Sequence, residues 1–284
     1  MDGILIVNKP YGCTSHDVVN KVKKVFNQKV GHTGTLDPMA TGVLPLLIGK
    51  GTLISKYLIN HDKIYEATIK LGIRTDTLDS EGKIIEEKEV QDELFEKEFV
   101  QKVLKSFLGE QKQIPPMYSA IKVNGKKLYD YARNGENVEI PERNIKIYDI
   151  CLLNIDSKNA EIKFRVECSK GTYIRTLCEN IAKKIGNIGY MSALNRVKVG
   201  DFKIEDAISI DEIGKSTANI IEIEDVFQNN EKIILNDIEL QKLLNGVKIK
   251  KNLSNGVYRI YNYCDKFVGL GTINDMSLKR DVIL

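Results

Sequence analysis

The sequence predicts an α+β fold in which helices flank a mostly antiparallel mixed sheet, followed by a small β-rich module. Three observations carry this prediction. Apolar and polar residues alternate over several short segments, a helical repeat interrupts them, and short apolar pieces separated by Gly and Asn close the chain. Runs of strands with inserted helices are typical of an α+β domain rather than of regular strand–helix alternation.

The N-terminal part of the chain predicts a short buried strand and a helix. Residues 4–7 are all apolar and are interpreted as the strand. Ser15 is the expected N-cap of a helix that continues over residues 17–26. The expected buried face of this helix is formed by Val18, Val19, Val22 and Val25.

Two segments further along carry strand signals. Residues 43–48 are apolar, but Pro45 lacks the amide hydrogen that a ladder needs, so an edge strand or a loop is expected. Residues 65–71 alternate between apolar and polar side chains and predict a half-buried strand. The polar residues 76–82 that follow are expected to form a turn.

The clearest helical repeat covers residues 94–108, where apolar residues including Phe99 recur about every four positions. Residues 145–155 and 160–168 predict the two strands of a hairpin. Residues 171–185 predict a strand end followed by a helix. These elements complete the larger of the two expected units.

The composition excludes several classes of protein. The 284 residues are 29% charged and 42% hydrophobic, which is ordinary for a globular chain. No apolar run approaches the roughly 18 residues that span a bilayer, and no signal-peptide core is visible, so a cytoplasmic protein is expected. The 5 cysteines form no C-x-x-C pair and the 3 histidines are far apart. Reduced thiols are therefore expected, without a metal site or disulfide framework.

The charge is unevenly distributed along the chain. The net charge is only +3, but residues 1–75 carry 10 basic against 5 acidic side chains, and residues 111–203 carry 17 against 10. The intervening residues 76–110 carry 5 against 11. Solvated helix faces are one explanation of such blocks. A basic surface that follows a phosphate backbone is the other.

One short loop concentrates residues that can do chemistry. Residues 31–42 read GHTGTLDPMATG and combine the carboxylate of Asp37 with the imidazole of His32 among turn-forming residues. Pro38 restricts the backbone of Asp37 towards extended conformations. The loop is therefore suited to hold one acid in a fixed pose, although an Asp-Pro pair is also an ordinary turn.

Five segments together resemble the TruB family of bacterial tRNA pseudouridine-55 synthases over nearly the whole chain. The first segment is NKP at 8–10, followed by Gly12 and TS at 14–15, and the second is GHTGTLDPMATG at 31–42. The third is KIYEA at 63–67, which leads into the Thr and Asp residues at 75–79 and Gly82. The fourth is PPMYSAIKVNGKKLYDYAR at 115–133, and the fifth is CSKGTYIRTL at 168–177, with Leu194 and residues 197–200 beyond it. The resemblance implies the pseudouridine synthase type of sheet.

The resemblance implies an isomerase that converts uridine to pseudouridine at position 55 of tRNA without a cofactor. The reaction breaks the N1–C1′ bond, rotates the uracil and rejoins it through C5, so nothing is oxidised. It needs one anionic group near the ribose, and the family places Asp37 there. The sequence leaves open whether Asp37 is a nucleophile at C1′ or a base at C2′. Arg175, by its position in the GTYIRT motif, is the expected partner that keeps this acid ionised and oriented, and a surface arginine at a strand end is the alternative.

The resemblance also assigns contacts with the substrate. Tyr65 is expected to stack on the target uracil and to help remove its C5 proton, although the alternating strand also explains it as a core aromatic. Tyr173 and Leu194 match positions that contact the base, and ordinary core packing is the alternative for Leu194. His32 is expected to fill the gap that the flipped base leaves in the stack. Lys9 joins this set as a support for the active-site loop.

The larger RNA surface is expected to be basic and partly aromatic. Cations with interleaved tyrosines suit a structured RNA arm, where phosphates give affinity and exposed bases stack. The expected RNA contacts are Lys122, Lys126, Lys127, Arg133, Arg143, Lys250 and Lys251.

The expected organisation is a catalytic domain over residues 1–228 and a PUA-like RNA-binding domain over residues 229–284. The expected partner is tRNA, contacted at the T arm and elbow by a monomer, with no membrane contact and no obligate protein partner. Two alternatives stay open. One is a non-catalytic chaperone that binds and refolds tRNA, and the other is the same chemistry on another RNA.

Overall fold

The computed structural model describes residues 2–215 and 220–284. Its α-helices are α1 (Ser15–Phe26), α2 (Ser55–Leu58), α3 (Lys97–Lys105), α4 (Leu128–Arg133), α5 (Ile174–Ile185), α6 (Ile223–Val226) and α7 (Asp237–Leu244). Its strands are β1 (Gly3–Lys9), β2 (Val30–His32), β3 (Thr41–Ile48), β4 (Lys63–Leu71), β5 (Ile73–Thr75), β6 (Ile84–Glu87), β7 (Gly109–Gln113), β8 (Lys122–Val123), β9 (Lys126–Lys127), β10 (Arg143–Asp156), β11 (Glu161–Cys168), β12 (Gly189–Val199), β13 (Phe202–Lys203), β14 (Ile208–Ser209), β15 (Ile220–Ile221), β16 (Lys232–Ile234), β17 (Ile249–Lys250), β18 (Gly256–Tyr261), β19 (Phe267–Asn274) and β20 (Ser277–Ile283).

A mixed, mostly antiparallel sheet forms the larger unit and confirms the predicted fold class. Its principal strand order is β14-β1-β3-β12-β4-β11-β10-β7, and β2, β13 and β15 pair beside this path. The predicted hairpin is β10 with β11, and the alternating segment is β4, whose apolar side chains are buried. The first core lies against helices α3 and α5 and includes Ile69, Phe164 and Leu177.

The start of α1 differs from the prediction by one residue. Thr14, not Ser15, is the N-cap, and its side chain exchanges hydrogen bonds with Asp17 in a capping box. Ser15 is the first helical residue, and its hydroxyl bonds the backbone of Leu36 instead. Val25 is 46% exposed and does not join the buried face, because α1 buries only a narrow stripe.

The prediction of an edge strand or loop around Pro45 was wrong. Strand β3 lies inside the sheet, between β1 on one side and both β2 and β12 on the other. Pro45 is tolerated because its backbone nitrogen and carbonyl face away from β1. On the other side, its carbonyl accepts a 3.4 Å hydrogen bond from the amide of Thr33, which follows β2. The register of β2 with β3 places Thr33 opposite Pro45, and proline cannot return a hydrogen bond because it has no amide hydrogen, so the ladder between these strands ends there.

The predicted helix over residues 94–108 is shorter than expected. A 3₁₀ turn at Asp92–Phe95 precedes α3, and Glu96 adopts an extended backbone between them. The carboxylate of Glu96 accepts hydrogen bonds from the amides of Glu98 and Phe99, so it begins a new helix. Phe99 is 37% exposed, whereas the prediction placed it on the buried stripe.

The C-terminal strands form a separate sheet in the order β16-β18-β19-β20-β17. One of its faces packs on the first unit, where Leu270 and Val282 share a core with Ile4 and Leu47. Across this contact, the carboxylate of Asp281 accepts hydrogen bonds from the side chains of Lys56 and Tyr57. The division of the chain at residues 228/229 stays a prediction. Within the described ranges, none of the helices is long and apolar enough to cross a membrane.

Replacing Gly42 with alanine is expected to lower the free energy of unfolding by roughly 3 kcal/mol, from backbone strain and overpacking together. Gly42 has φ of +106°, and a Cβ there would lie 2.7 Å from the amide nitrogen of Arg196 on β12. Urea unfolding measures the effect. Gly186→Ala is the matched control, since φ is +102° but no atom lies within 4 Å of the added Cβ. Equal losses in the two variants would show that the β3–β12 contact is not tight.

Candidate active site

The backbone on both sides of Asp37 is held by buried polar side chains. The hydroxyl of Ser15 accepts from the amide of Leu36 at 2.8 Å and donates to its carbonyl at 3.1 Å. On the other side, the carbonyl of Pro38 accepts from the ammonium of Lys9 at 3.1 Å and from the amide of Gly12 at 3.0 Å. Since both neighbours are fixed, the backbone that carries the carboxylate is held in place.

Lys9 lies beneath this loop and has no exposed surface. Its ammonium donates to the carbonyls of Pro10, Cys13 and Pro38, which use its three N–H groups. Burial lowers the pKa of Lys9. The ammonium therefore binds the backbone of the loop from beneath, and the predicted part of Lys9 in the site stays a prediction.

The guanidinium of Arg175 joins the loop to two distant segments. Arg175 lies in the first turn of α5, and its Nε is 3.3 Å from Oδ2 of Asp37. Its Nη1 is 3.3 Å from Oδ2 of Asp79, and its Nη2 donates to the carbonyl of Tyr118 at 2.9 Å. The side chain of Asp37 is 38% exposed, whereas those of Arg175 and Asp79 are 9% and 4% exposed. One carboxylate of this group is thus open to a ligand.

A cavity of about 830 Å³ opens beside this carboxylate. The predicted residues Asp37, Tyr65, Tyr173, Arg175 and Leu194 all line it. Tyr65 lies on the central strand β4 with 8% exposure, and burial raises the pKa of its phenol.

The position of Tyr173 is set by a single amide side chain. Gln113 on β7 donates to the carbonyl of Tyr173 at 3.1 Å and accepts from its amide at 2.8 Å. Because Tyr173 is also the N-cap residue of α5, this pair of bonds fixes the point from which the helix carries Arg175 towards the cavity.

His32 is not among the residues that line the cavity. It lies half-buried on β2, five positions before Asp37, and its Nδ1 is buried without a hydrogen-bond partner. Burial lowers the pKa of His32, and the nearby charge of Arg196 acts in the same direction. An imidazole in this environment is neutral near pH 7 and presents a flat, largely apolar ring.

The residues predicted to contact RNA lie in three places. Arg143 is exposed at the rim of the cavity. Lys122, Lys126, Lys127 and Arg133 surround α4, where Arg133 lies over the ring of Tyr129 at 5.4 Å. Lys250 and Lys251 lie at β17 in the C-terminal sheet. Lys126 and Lys251 already pair with carboxylates of Glu136 and Glu239, at 2.6 Å and 2.7 Å.

Sequence reasoning missed two charged residues of the site. Asp79 was interpreted as part of a polar turn, but it is buried and pairs with Arg175. Its place in the third of the five motifs was the available signal. Arg196 was not singled out, because β12 mixes polar and apolar residues and gives no local signal; it is 1% exposed and lines the same cavity.

The arrangement offers general electrostatic and proton-transfer chemistry. An open carboxylate is aimed by a guanidinium, a phenol lies on the adjacent strand, and the walls are partly apolar. Among the described residues, no cluster of His, Cys, Asp and Glu is arranged to hold a metal ion. A planar, uncharged ring is the kind of ligand that such walls accept.

Two family models match the chain. One describes the N-terminal domain of the TruB family pseudouridylate synthases and covers residues 22–174. The other describes the C-terminal part of pseudouridine synthase II TruB and covers residues 232–279.

Curated relatives match over nearly the full length. The tRNA pseudouridine synthase B of Clostridium acetobutylicum is 46% identical, over 98% of each chain. The protein of the same name from Clostridium novyi is 46% identical over 100% of each chain, and that from Caldanaerobacter subterraneus is 45% identical over 98% of each.

Solved structures show the same fold. The crystal structure of a Cbf5-Nop10-Gar1 complex contains a chain with 28% identity and a TM-score of 0.67, covering 95% of this chain and 78% of that one. An H/ACA RNP bound to a substrate RNA contains a chain that matches with a TM-score of 0.70, over 99% of this chain and 85% of that one. The sequence identity is 24%, so this match supports the fold alone. The chain belongs to the TruB family of pseudouridylate synthases.

Proposed function

We propose that this protein converts uridine to pseudouridine at position 55 in the T arm of tRNA, with Asp37 as the essential acid. One observation carries the proposal: the carboxylate of Asp37 is open to the cavity and is held 3.3 Å from the Arg175 guanidinium. Full-length relatives named tRNA pseudouridine synthase B support tRNA as the substrate.

The proposed chemistry needs only groups of this chain. Asp37 either attacks C1′ of the ribose or removes a proton from C2′, and the uracil leaves through N1. The freed ring then rotates in the cavity and bonds to C1′ through C5. On the first route this bond displaces the Asp37 carboxylate from C1′, and on the second route Asp37 returns the proton to C2′, so the carboxylate is regenerated. Arg175 keeps the carboxylate directed at the sugar, and Tyr65 stacks on the base.

The RNA is engaged outside the cavity by base flipping and basic residues. The target uracil leaves its stack to reach Asp37, and the neutral ring of His32 fills the gap. The basic and aromatic residues around α4 hold the T arm near the elbow, and Lys250 and Lys251 extend the contact from the C-terminal module. A monomer suffices, because every proposed site residue comes from one chain.

The test uses unmodified tRNA transcribed with uridine that carries tritium at C5. Purified protein without added cofactor is expected to release one tritium per tRNA, because C5 loses its hydrogen when it bonds to C1′. A transcript with cytidine at position 55 is the matched control and is expected to release none.

Two outcomes would contradict the proposal. Tight binding of the tRNA without tritium release would leave the chaperone function as the explanation. Equal release from both transcripts would show that the protein modifies another uridine, and sequencing after carbodiimide labelling would then identify the site.

A further inference from the structure

A buried arginine that the proposed mechanism does not use lies directly beside Tyr65. Arg196 on β12 and Tyr65 on β4 are register partners in neighbouring antiparallel strands, and both line the cavity. Side chains at such paired positions lie on the same face of the sheet, about 5 Å apart at Cβ. The phenol and the guanidinium are therefore neighbours by construction of the sheet.

Arg196 is held firmly, but no acid neutralises it. Its Nε donates to the carbonyl of Val43 at 2.8 Å, and its Nη2 donates to that of Gly34 at 3.0 Å. Across residues 2–215 and 220–284, no carboxylate pairs with it, and Tyr65 is the group that interacts favourably with its charge. Buried charges are ordinarily paired, since an unpaired one is costly to desolvate.

The other ionisable groups near Arg196 do not account for this charge. Lys63 on β4, His32 on β2 and Lys9 on β1 all have their pKa values lowered in part by Arg196. Their proximity makes the cation less favourable, not more. The carbonyls of Val43 and Gly34 need a hydrogen-bond donor, but a neutral amide side chain could also donate, so the charge itself is the feature to explain.

We propose that Arg196 is a positioning residue that holds the Tyr65 oxygen and stabilises its anionic form, so that Tyr65 accepts the proton from C5 of the rejoined uracil. The inference rests on the proposed function. The pKa of Tyr65 is raised overall, because burial outweighs the adjacent guanidinium, which acts in the opposite direction. Without Arg196 the phenolate would form less readily still. Fixed donors that face the site of developing charge stabilise it without reorganisation.

The proton balance of this step is closed. After C5 bonds to C1′, the C5–H bond breaks, its electron pair returns to the ring, and the proton goes to the Tyr65 phenolate. The ring takes up a proton from water at N1, and Tyr65 returns its proton to water. One proton has moved from C5 to N1, as the conversion of uridine to pseudouridine requires.

The test compares single-turnover rates on tRNA that carries hydrogen or deuterium at C5 of the target uridine. Arg196→Met is expected to slow turnover by about 10²-fold or more, as for loss of assistance to a general base. A C5 isotope effect is expected to appear or increase, because proton removal becomes slower than bond cleavage. The dissociation constant for tRNA is expected to change by less than about threefold, which is below 1 kcal/mol.

Arg196 also donates hydrogen bonds to two carbonyls, so Arg196→Met could lose activity by misfolding. A conservative variant separates that effect from the proposed one. Arg196→Lys keeps the charge and is expected to retain more activity than Arg196→Met. In the Arg196→Lys protein, placing the more acidic 2,3-difluorotyrosine at position 65 is expected to restore much of the rate and to reduce the isotope effect. A role in packing alone would not respond to the acidity of the phenol.

Two results would overturn the inference. One is a fall in rate with the same isotope effect as the wild-type protein, and the other is no recovery with difluorotyrosine. Either result would assign Arg196 to structure alone. Failure of the wild-type protein to modify tRNA would instead reject the proposed function, and that measurement is made first.

Discussion

Replacing Asp37 with asparagine is expected to abolish turnover, with a loss of at least about 10⁴-fold in single-turnover rate. Asparagine has nearly the same size but is neither a nucleophile nor a base, and both candidate mechanisms need that one anion. The loop should keep its shape, because Ser15, Lys9 and Gly12 bind the backbone beside Asp37 rather than its carboxylate. Tritium release from C5 measures the effect.

Binding of tRNA by this variant is expected to stay within about tenfold of wild type, which corresponds to 1.4 kcal/mol. Asp211→Asn is the matched control, because its side chain is 84% exposed and its only described ion pair is with Lys21 at the surface. That control should retain full activity, since exposed pairs contribute little. Wild-type rates in Asp37→Asn would reject the assignment of Asp37.

Replacing Arg175 with lysine is expected to reduce the rate at saturating tRNA by about 10²–10³-fold, the range seen when an oriented charged donor is lost. The guanidinium spans Asp37, Asp79 and the carbonyls of Tyr118 and Thr77. An ammonium is a compact charge and cannot reach these acceptors at once. The charge is retained, so the loss would report orientation of Asp37 rather than neutralisation.

The matched control for this variant is Arg74→Lys. Arg74 pairs with Glu179 at 3.0 Å, outside the residues that line the cavity, so the same chemical change should alter the rate by less than about threefold. Circular dichroism and urea unfolding show whether Arg175→Lys stays folded. A folded variant with wild-type kcat would mean that Asp37 needs no guanidinium to be oriented.

Local patterns in the sequence predicted most elements of the fold. Alternation over residues 65–71 predicted β4, and the hairpin of β10 and β11 appears where its two apolar segments and polar turn placed it. The same reasoning failed at Pro45, which it assigned to an edge or loop. Whether a proline disturbs a sheet depends on which neighbour its backbone faces, and that is a property of strand pairing.

The residues of the candidate site also fall into two groups, those that the sequence motifs identified and those that only the structure revealed. The motif with Asp37 and the resemblance of five segments were enough to predict five residues that line one cavity. Asp79 was missed, because a polar turn and a buried ion-pair partner have the same local sequence. His32 and Lys9 were named from the motifs, but the structure places His32 outside the cavity lining and Lys9 beneath the loop.

The sequence by itself determined the α+β class and the family, and it singled out Asp37 as the candidate carboxylate, because alternation and motifs depend on residue types at short spacing. Only the tertiary structure decided that Arg175 contacts both Asp37 and Asp79, and that Arg196 lies beside Tyr65 with no carboxylate partner in the described part of the chain. These contacts join segments that are far apart in the chain. They depend on strand register and on where α5 begins. A shift of one residue would place a strand side chain on the opposite face of the sheet and would rotate a helix side chain by about 100°.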